Sequence, residues 1–139
     1  MFRDVLAPLL DVLELRVVSR KVEGLGGLYE LRGDQLMVRL MNDRGVASLE
    51  IAPLFGPADY WDLELISGLF EPPPSRGVRL LNLEQQAELL RNRWVELTAR
   101  FSPASYSSTR KELRTLARDR AEALFGKRGF GAGVSDSDV

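Results

Sequence analysis

The densest group of chemically capable side chains is Asp59-Tyr60-Trp61-Asp62-Leu63-Glu64. Carboxylates beside a phenol could hold Mg²⁺ or move a proton. The spacing is not a metal motif, because it lacks the alternating oxygen ligands of a calcium loop. A capped helix start explains it better, with Asp59 as N-cap, Asp62 three residues on and Trp61 in the core. A binding surface built on Asp59, Tyr60, Asp62 and Glu64 is the next reading, since Tyr and Trp anchor protein interfaces.

A second group is basic. Arg110, Arg114 and Arg118 recur every four residues, flanked by Lys111. Such a helix face could bind phosphates. Glu112, Asp119 and Glu122 interleave with it, and no aromatic platform lies beside it. A solvated face, or one docked on the acidic sheet, is the simpler account. Ser108 with Lys111 is a lone Ser-x-x-Lys match and reads as a helix start. Gly24-Leu25-Gly26-Gly27 lacks the Lys-Ser/Thr ending of a phosphate loop and reads as a turn.

What is missing narrows the chemistry more than what is present. The 139 residues include no His and no Cys. Thiol nucleophiles, disulfides, thiolate metal sites and the Ser-His-Asp triad are all excluded. The expectation is a non-enzymatic protein with no cofactor and no metal. The apolar runs are far shorter than the roughly 20 residues a membrane helix needs. Asp4 sits where a signal peptide would be basic and then apolar. A cytoplasmic protein is expected.

Charge is uneven. Residues 1–75 hold seven basic and twelve acidic side chains, whereas residues 76–139 hold twelve and eight. The two halves either attract each other or meet charged partners.

The elements that must position these groups follow from periodicity. Val5, Leu6, Leu9, Leu10 and Leu13 form one helical face, with Pro8 in the first turn or at a kink. Val17 to Glu23 is a weak strand. Leu28–Arg32 and Leu36–Met41 are strands joined by Gly33-Asp34-Gln35, a hairpin signal. Leu36, Val38 and Leu40 share a face. A turn at Asn42-Asp43-Arg44-Gly45 leads to Val46–Ala52, where Ala47, Leu49 and Ile51 face in. Pro53 and Pro57 end the sheet. Trp61, Leu65 and Leu69 stack on a helix, and Pro72-Pro73-Pro74 is an extended connector. Asn82 with Gln85 is a capping box. Leu83, Ala87, Leu90, Trp94, Leu97 and Phe101 then form a core stripe, with Trp94 buried at its centre. Ser102-Pro103 breaks it, and Thr109 with Glu112 caps a last helix.

The expected fold class is therefore α+β: an antiparallel meander of three to four strands, helices packed on one face, and a helical C-terminal half. Residues 1–128 form one domain and residues 129–139 a disordered tail.

Between Gly33 and Phe70 run Gly-Asp-Gln-Leu-Met-Val-Arg-Leu, Asp-Arg-Gly, Leu-Glu-Ile-Ala-Pro and Asp-Tyr-Trp-Asp-Leu. This stretch resembles small bacterial α+β proteins, some of them similar to immunity proteins of polymorphic toxin systems. The resemblance implies a cytoplasmic, non-enzymatic protein that binds one protein partner through an acidic, aromatic-bearing surface. Residues 53–71 carry Asp59, Asp62, Glu64 and Glu71 and no basic residue. A basic partner is expected there, and reversing Asp62 and Glu64 to lysine is expected to slow association more than it disturbs folding. The alternative is a nucleic-acid-associated or regulatory protein using Arg110, Lys111, Arg114 and Arg118.

Overall fold

The computed structural model describes residues 2–23, 26–43, 46–55, 59–71 and 80–125. The expected turns at Gly24 and Gly45, Pro57, the Pro72–Pro74 connector and the tail beyond residue 128 lie outside the described residues.

Helix α1 (Phe2–Val12) carries Pro8 in its interior, so the longer of the two expected helices forms. It closes on a left-handed residue, Glu14 at φ 54°, with the Leu15 amide donating to the Leu10 carbonyl at 3.1 Å. This six-to-one bond is a Schellman closure, which folds buried Leu15 back onto the core.

Four strands then follow on short connections: β1 (Arg16–Glu23), β2 (Gly26–Arg32), β3 (Leu36–Asp43) and β4 (Val46–Pro53). They pair in sequence order, each antiparallel to the last. The hairpin at Gly33 is tight because Gly33 N donates to Leu36 O at 2.8 Å. A Cβ on Gly33 would sit 3.0 Å from Leu15 Cδ2 and 3.3 Å from Trp94 Cζ2, so a larger residue there would have to push these two side chains aside by a few tenths of an ångström.

A fifth strand, β5 (Trp61–Asp62), pairs with β4 at Glu50 and Ile51. The sheet therefore has five strands in the order β1-β2-β3-β4-β5, one more than the three or four expected. Helix α2 (Leu63–Ser67) and a 3-10 turn (Gly68–Phe70) follow, then α3 (Leu83–Asn92), α4 (Trp94–Arg100) and α5 (Tyr106–Phe125).

Alternation along the strands divides the sheet into two faces. Leu31, Val38, Leu40, Leu49 and Ile51 share the inner face and are fully buried, together with Leu36. They pack with Leu9, Leu63, Ile66, Leu90, Leu97, Phe101 and Leu113 of the helices in one core. Leu28, Met37, Arg39, Met41, Ser48 and Glu50 take the alternate positions and are half-buried on the opposite face.

Three expectations are corrected. The single helix expected from residue 83 to 101 breaks at Arg93, whose φ of −110° and ψ of 16° leave the helical region. The stripe survives the break, with Leu83, Ala87, Leu90, Leu97 and Phe101 buried. Trp94 is only half-buried at the rim of the core rather than central to it. Helix α5 starts at Tyr106, three residues before the expected cap, because Ser102 O already accepts from Tyr106 N at 2.9 Å. Thr109 is buried inside the helix, and its hydroxyl donates to Arg100 O at 2.8 Å.

Candidate functional site

The acidic-aromatic segment and the basic helix, read separately in the sequence, meet in space. Asp59 lies just before β5 and Asp62 ends it. Because residues 61 and 62 pair with β4, the helix cannot begin before Leu63. The cap is thus Asp62, whose Oδ1 accepts from Leu65 N at 2.8 Å. Asp59, the expected cap, is not one.

Asp62 has a second partner. Arg120 donates to both of its oxygens, at 3.1 and 3.0 Å, the two-pronged geometry that makes Arg–carboxylate pairs strong. Asp59 Oδ2 accepts from the Tyr106 hydroxyl at 3.2 Å, and that hydroxyl accepts from Trp61 Nε1 at 2.8 Å. Arg110 Nε lies 2.9 Å from Asp59 Oδ2 but makes no aligned hydrogen bond to it, so this is a charge contact. Glu64 Oε2 accepts from Leu81 N at 2.8 Å. Between the two ion pairs, Leu116 presses on Gly68, where an added Cβ would meet its Cδ2 at 3.0 Å. Helix α5 is therefore fastened to the β5–α2 corner at both ends of a span of about 15 Å.

The sites singled out from sequence are distributed as follows. Asp59, Asp62 and Glu64 each spend part of their bonding capacity inside the fold, on separate partners. Tyr60 does not join them. It is half-exposed, and the Arg39 guanidinium lies 4.0 Å from its ring centroid. Arg39 in turn donates to Glu50 Oε1, at 2.8 Å from Nε. Residues Glu30, Arg39, Glu50 and Asp62 stand side by side across β2, β3, β4 and β5 on the outer face. Of the basic residues, Arg110 turns to Asp59, while Lys111, Arg114 and Arg118 are exposed on α5.

Sequence reasoning missed Arg120, Tyr106 and Gln86. Gln86 is only 3% exposed, yet its side chain accepts from Leu49 N at 2.7 Å and donates to Leu81 O at 2.9 Å. It covers the edge of β4 beyond the end of two-residue β5. A polar residue inside an apolar stripe was its available signal.

Two phenols are perturbed. Burial pushes the Tyr60 hydroxyl above its ordinary 10.0, with Glu30 and Glu50 adding to the rise and Arg39 opposing it. Burial also raises Tyr106, helped by the Asp59 carboxylate and opposed by the Trp61 hydrogen bond and Arg110. A raised phenol means that the folded chain holds its proton more tightly than the unfolded chain does. That stability is complete below pH 10 and is lost as pH rises through and beyond that value. Urea midpoints taken between pH 8 and 11 should fall in the wild type and fall less steeply in Tyr106→Phe. Equal slopes would mean that Tyr106 is no more protected than in the unfolded chain.

Among the described residues no cluster of three or more Asp or Glu could hold a metal ion, and no helix is long and apolar enough to cross a membrane. A hollow of about 530 Å³ between α1 and α3 is lined by Pro8, Gln85, Glu88 and Arg91 among others. No known protein family, curated protein or solved structure matches this chain.

Proposed function

We propose that the protein is a non-enzymatic, cytoplasmic protein-binding module of the toxin-neutralising immunity type, and that it takes a basic protein partner on the outer face of its sheet around Tyr60. The observation that supports this reading is the setting of Tyr60. Its ring is half-exposed, has the Arg39 guanidinium 4.0 Å from its centroid, and feels the charges of Glu30 and Glu50. A pre-positioned aromatic loses little freedom on binding, and desolvating it supplies anchor energy. The single guanidinium is answered by Glu50, so the surplus charge about the ring is negative. At the β5–α2 corner Arg110 and Arg120 answer Asp59 and Asp62, which hold α5, so of the acids there Glu64 adds to the negative region. The poverty of nucleophiles and general bases in the sequence agrees with a binding role.

The test is capture of a basic protein from the native host, followed by binding measurements on the purified pair. Tyr60→Ala should weaken that pair by about 2 kcal/mol, roughly thirtyfold, without changing the thermal midpoint. Association should slow as salt rises, since such charges are screened over about 8 Å at physiological ionic strength. An unchanged dissociation constant for Tyr60→Ala would remove this face from the interface.

A second reading rests on a separate observation. Lys111, Arg114 and Arg118 are exposed along one side of α5. A nucleic-acid-associated or regulatory role would use that stripe, without Arg110. A gel shift at physiological salt that is abolished by replacing the three with alanine would favour it over protein binding.

A further inference from the structure

We propose that the free edge of β1 accepts an acidic, extended peptide segment as an added strand. This surface is separate from the Tyr60 face and does not depend on the reading given for it.

The two edges of the sheet are treated differently. At the β4–β5 side, Gln86 covers the backbone beyond the short last strand. At the other side, β1 runs for eight residues and, among the described residues, pairs only with β2. An edge strand of that length presents a row of backbone donors and acceptors ready to pair with another chain.

Its side chains select the kind of chain. Arg16, Arg20 and Lys21 are exposed, and Arg32, directly opposite Arg16 on β2, is exposed as well. None of the four pairs with a carboxylate among the described residues. Four of the cations in the otherwise acidic first half are thus gathered on one edge. Arg16 and Arg32 face each other as like charges, an unfavourable arrangement that a neighbouring carboxylate would relieve. Val17 and Val18 are 46% and 50% exposed between them and offer apolar contact to alternate residues of an added strand.

A second copy of this chain is a poor occupant. Antiparallel pairing of β1 with itself would bring together two strands that each carry Arg16, Arg20 and Lys21 against the single acid Glu23. The same charges that disfavour a copy favour an acidic strand. Two exposed valines within the basic run also suit a peptide better than a nucleic acid, which would need stacking surfaces.

The probe is a fluorescein-labelled, eight-residue peptide of alternating glutamate and valine, titrated into the full chain and followed by anisotropy. Saturable binding is expected, with slowed amide exchange confined to residues 16–22. Arg20→Glu with Lys21→Glu should weaken it by about tenfold or more. Both sites are exposed, and far-UV circular dichroism should confirm that the variant keeps its fold. A peptide N-methylated at alternate residues keeps the charge but cannot form the ladder, and it should not bind. Equal binding of the methylated peptide would overturn strand addition, since charge attraction alone would then suffice. Unchanged exchange in β1, or complete displacement of the peptide by a single-stranded oligonucleotide, would also overturn the proposal. Tyr60→Ala should leave the peptide affinity unchanged.

Discussion

Gln86→Leu should destabilise the protein by about 3 kcal/mol, although it adds an apolar residue to an apolar helix face. The Gln86 amide is the partner of two backbone groups, Leu49 N and Leu81 O. Leu49 is fully buried, so water cannot readily replace the lost acceptor. Leaving a buried donor or acceptor unmade costs about 1–3 kcal/mol for each group. Burial of the extra methyl groups offsets a part of that. The net loss is a large share of the 5–15 kcal/mol typical of a domain. Urea denaturation should show a lower midpoint with an unchanged slope, and the Leu49 amide should exchange faster. Gln86→Glu separates the two bonds. Its carboxylate still accepts from Leu49 N but cannot donate to Leu81 O, and it is charged in a buried place. A loss under about 1 kcal/mol for Gln86→Leu would show that the edge of β4 finds other partners.

Gln86 also shows where sequence legibility ends. The strands from Leu28 to Ala52 were readable because alternation and turn residues act over a few positions, and β3 and β4 follow them closely. The cap at Asn82 was readable for the same reason, since Gln85 answers it three residues on. Strand β5 was not readable. Two residues carry no period, and only pairing with Glu50 and Ile51 defines them. Missing β5 shifted the helix cap from Asp62 to Asp59. The uneven charge of the two halves correctly raised attraction between them as one explanation. It could not say that Arg110 and Arg120, ten residues apart on α5, would meet Asp59 and Asp62, three residues apart. That match is set by the angle at which α5 crosses the sheet corner, a tertiary quantity. It also means that linear charge misleads about surface charge. The acids of the first half turn partly inward to α5, while Arg16, Arg20 and Lys21 remain on the open edge.

Asp62→Lys should cost about 3 kcal/mol in folding stability, which runs against the expectation that reversing Asp62 and Glu64 slows association far more than it changes folding. Three contributions have the same sign. The cap on Leu65 N is lost, worth about 1 kcal/mol. The twin hydrogen bonds from Arg120 are lost; at a side-chain exposure of 26–27%, that pair contributes about 1 kcal/mol rather than the larger value of a fully buried one. A lysine then stands beside Arg120 and at the start of α2, and both contacts are repulsive at about 0.5 kcal/mol each. Two companion variants separate the parts. Asp62→Asn retains a capping oxygen and should lose only the ion pair, about 1 kcal/mol. Asp62→Lys with Arg120→Asp restores opposite charges but not the cap, so it should recover about half of the loss. Thermal and urea midpoints on the three variants test this directly. If Asp62→Lys stays within 1 kcal/mol of the wild type, α5 is held by Leu113, Leu116 and the Asp59 cluster, and Asp62 is free to serve a partner. If the full loss appears, weakened partner binding by Asp62→Lys reports unfolding. Tyr60→Ala, which touches neither the cap nor α5, is then the variant that isolates the interface.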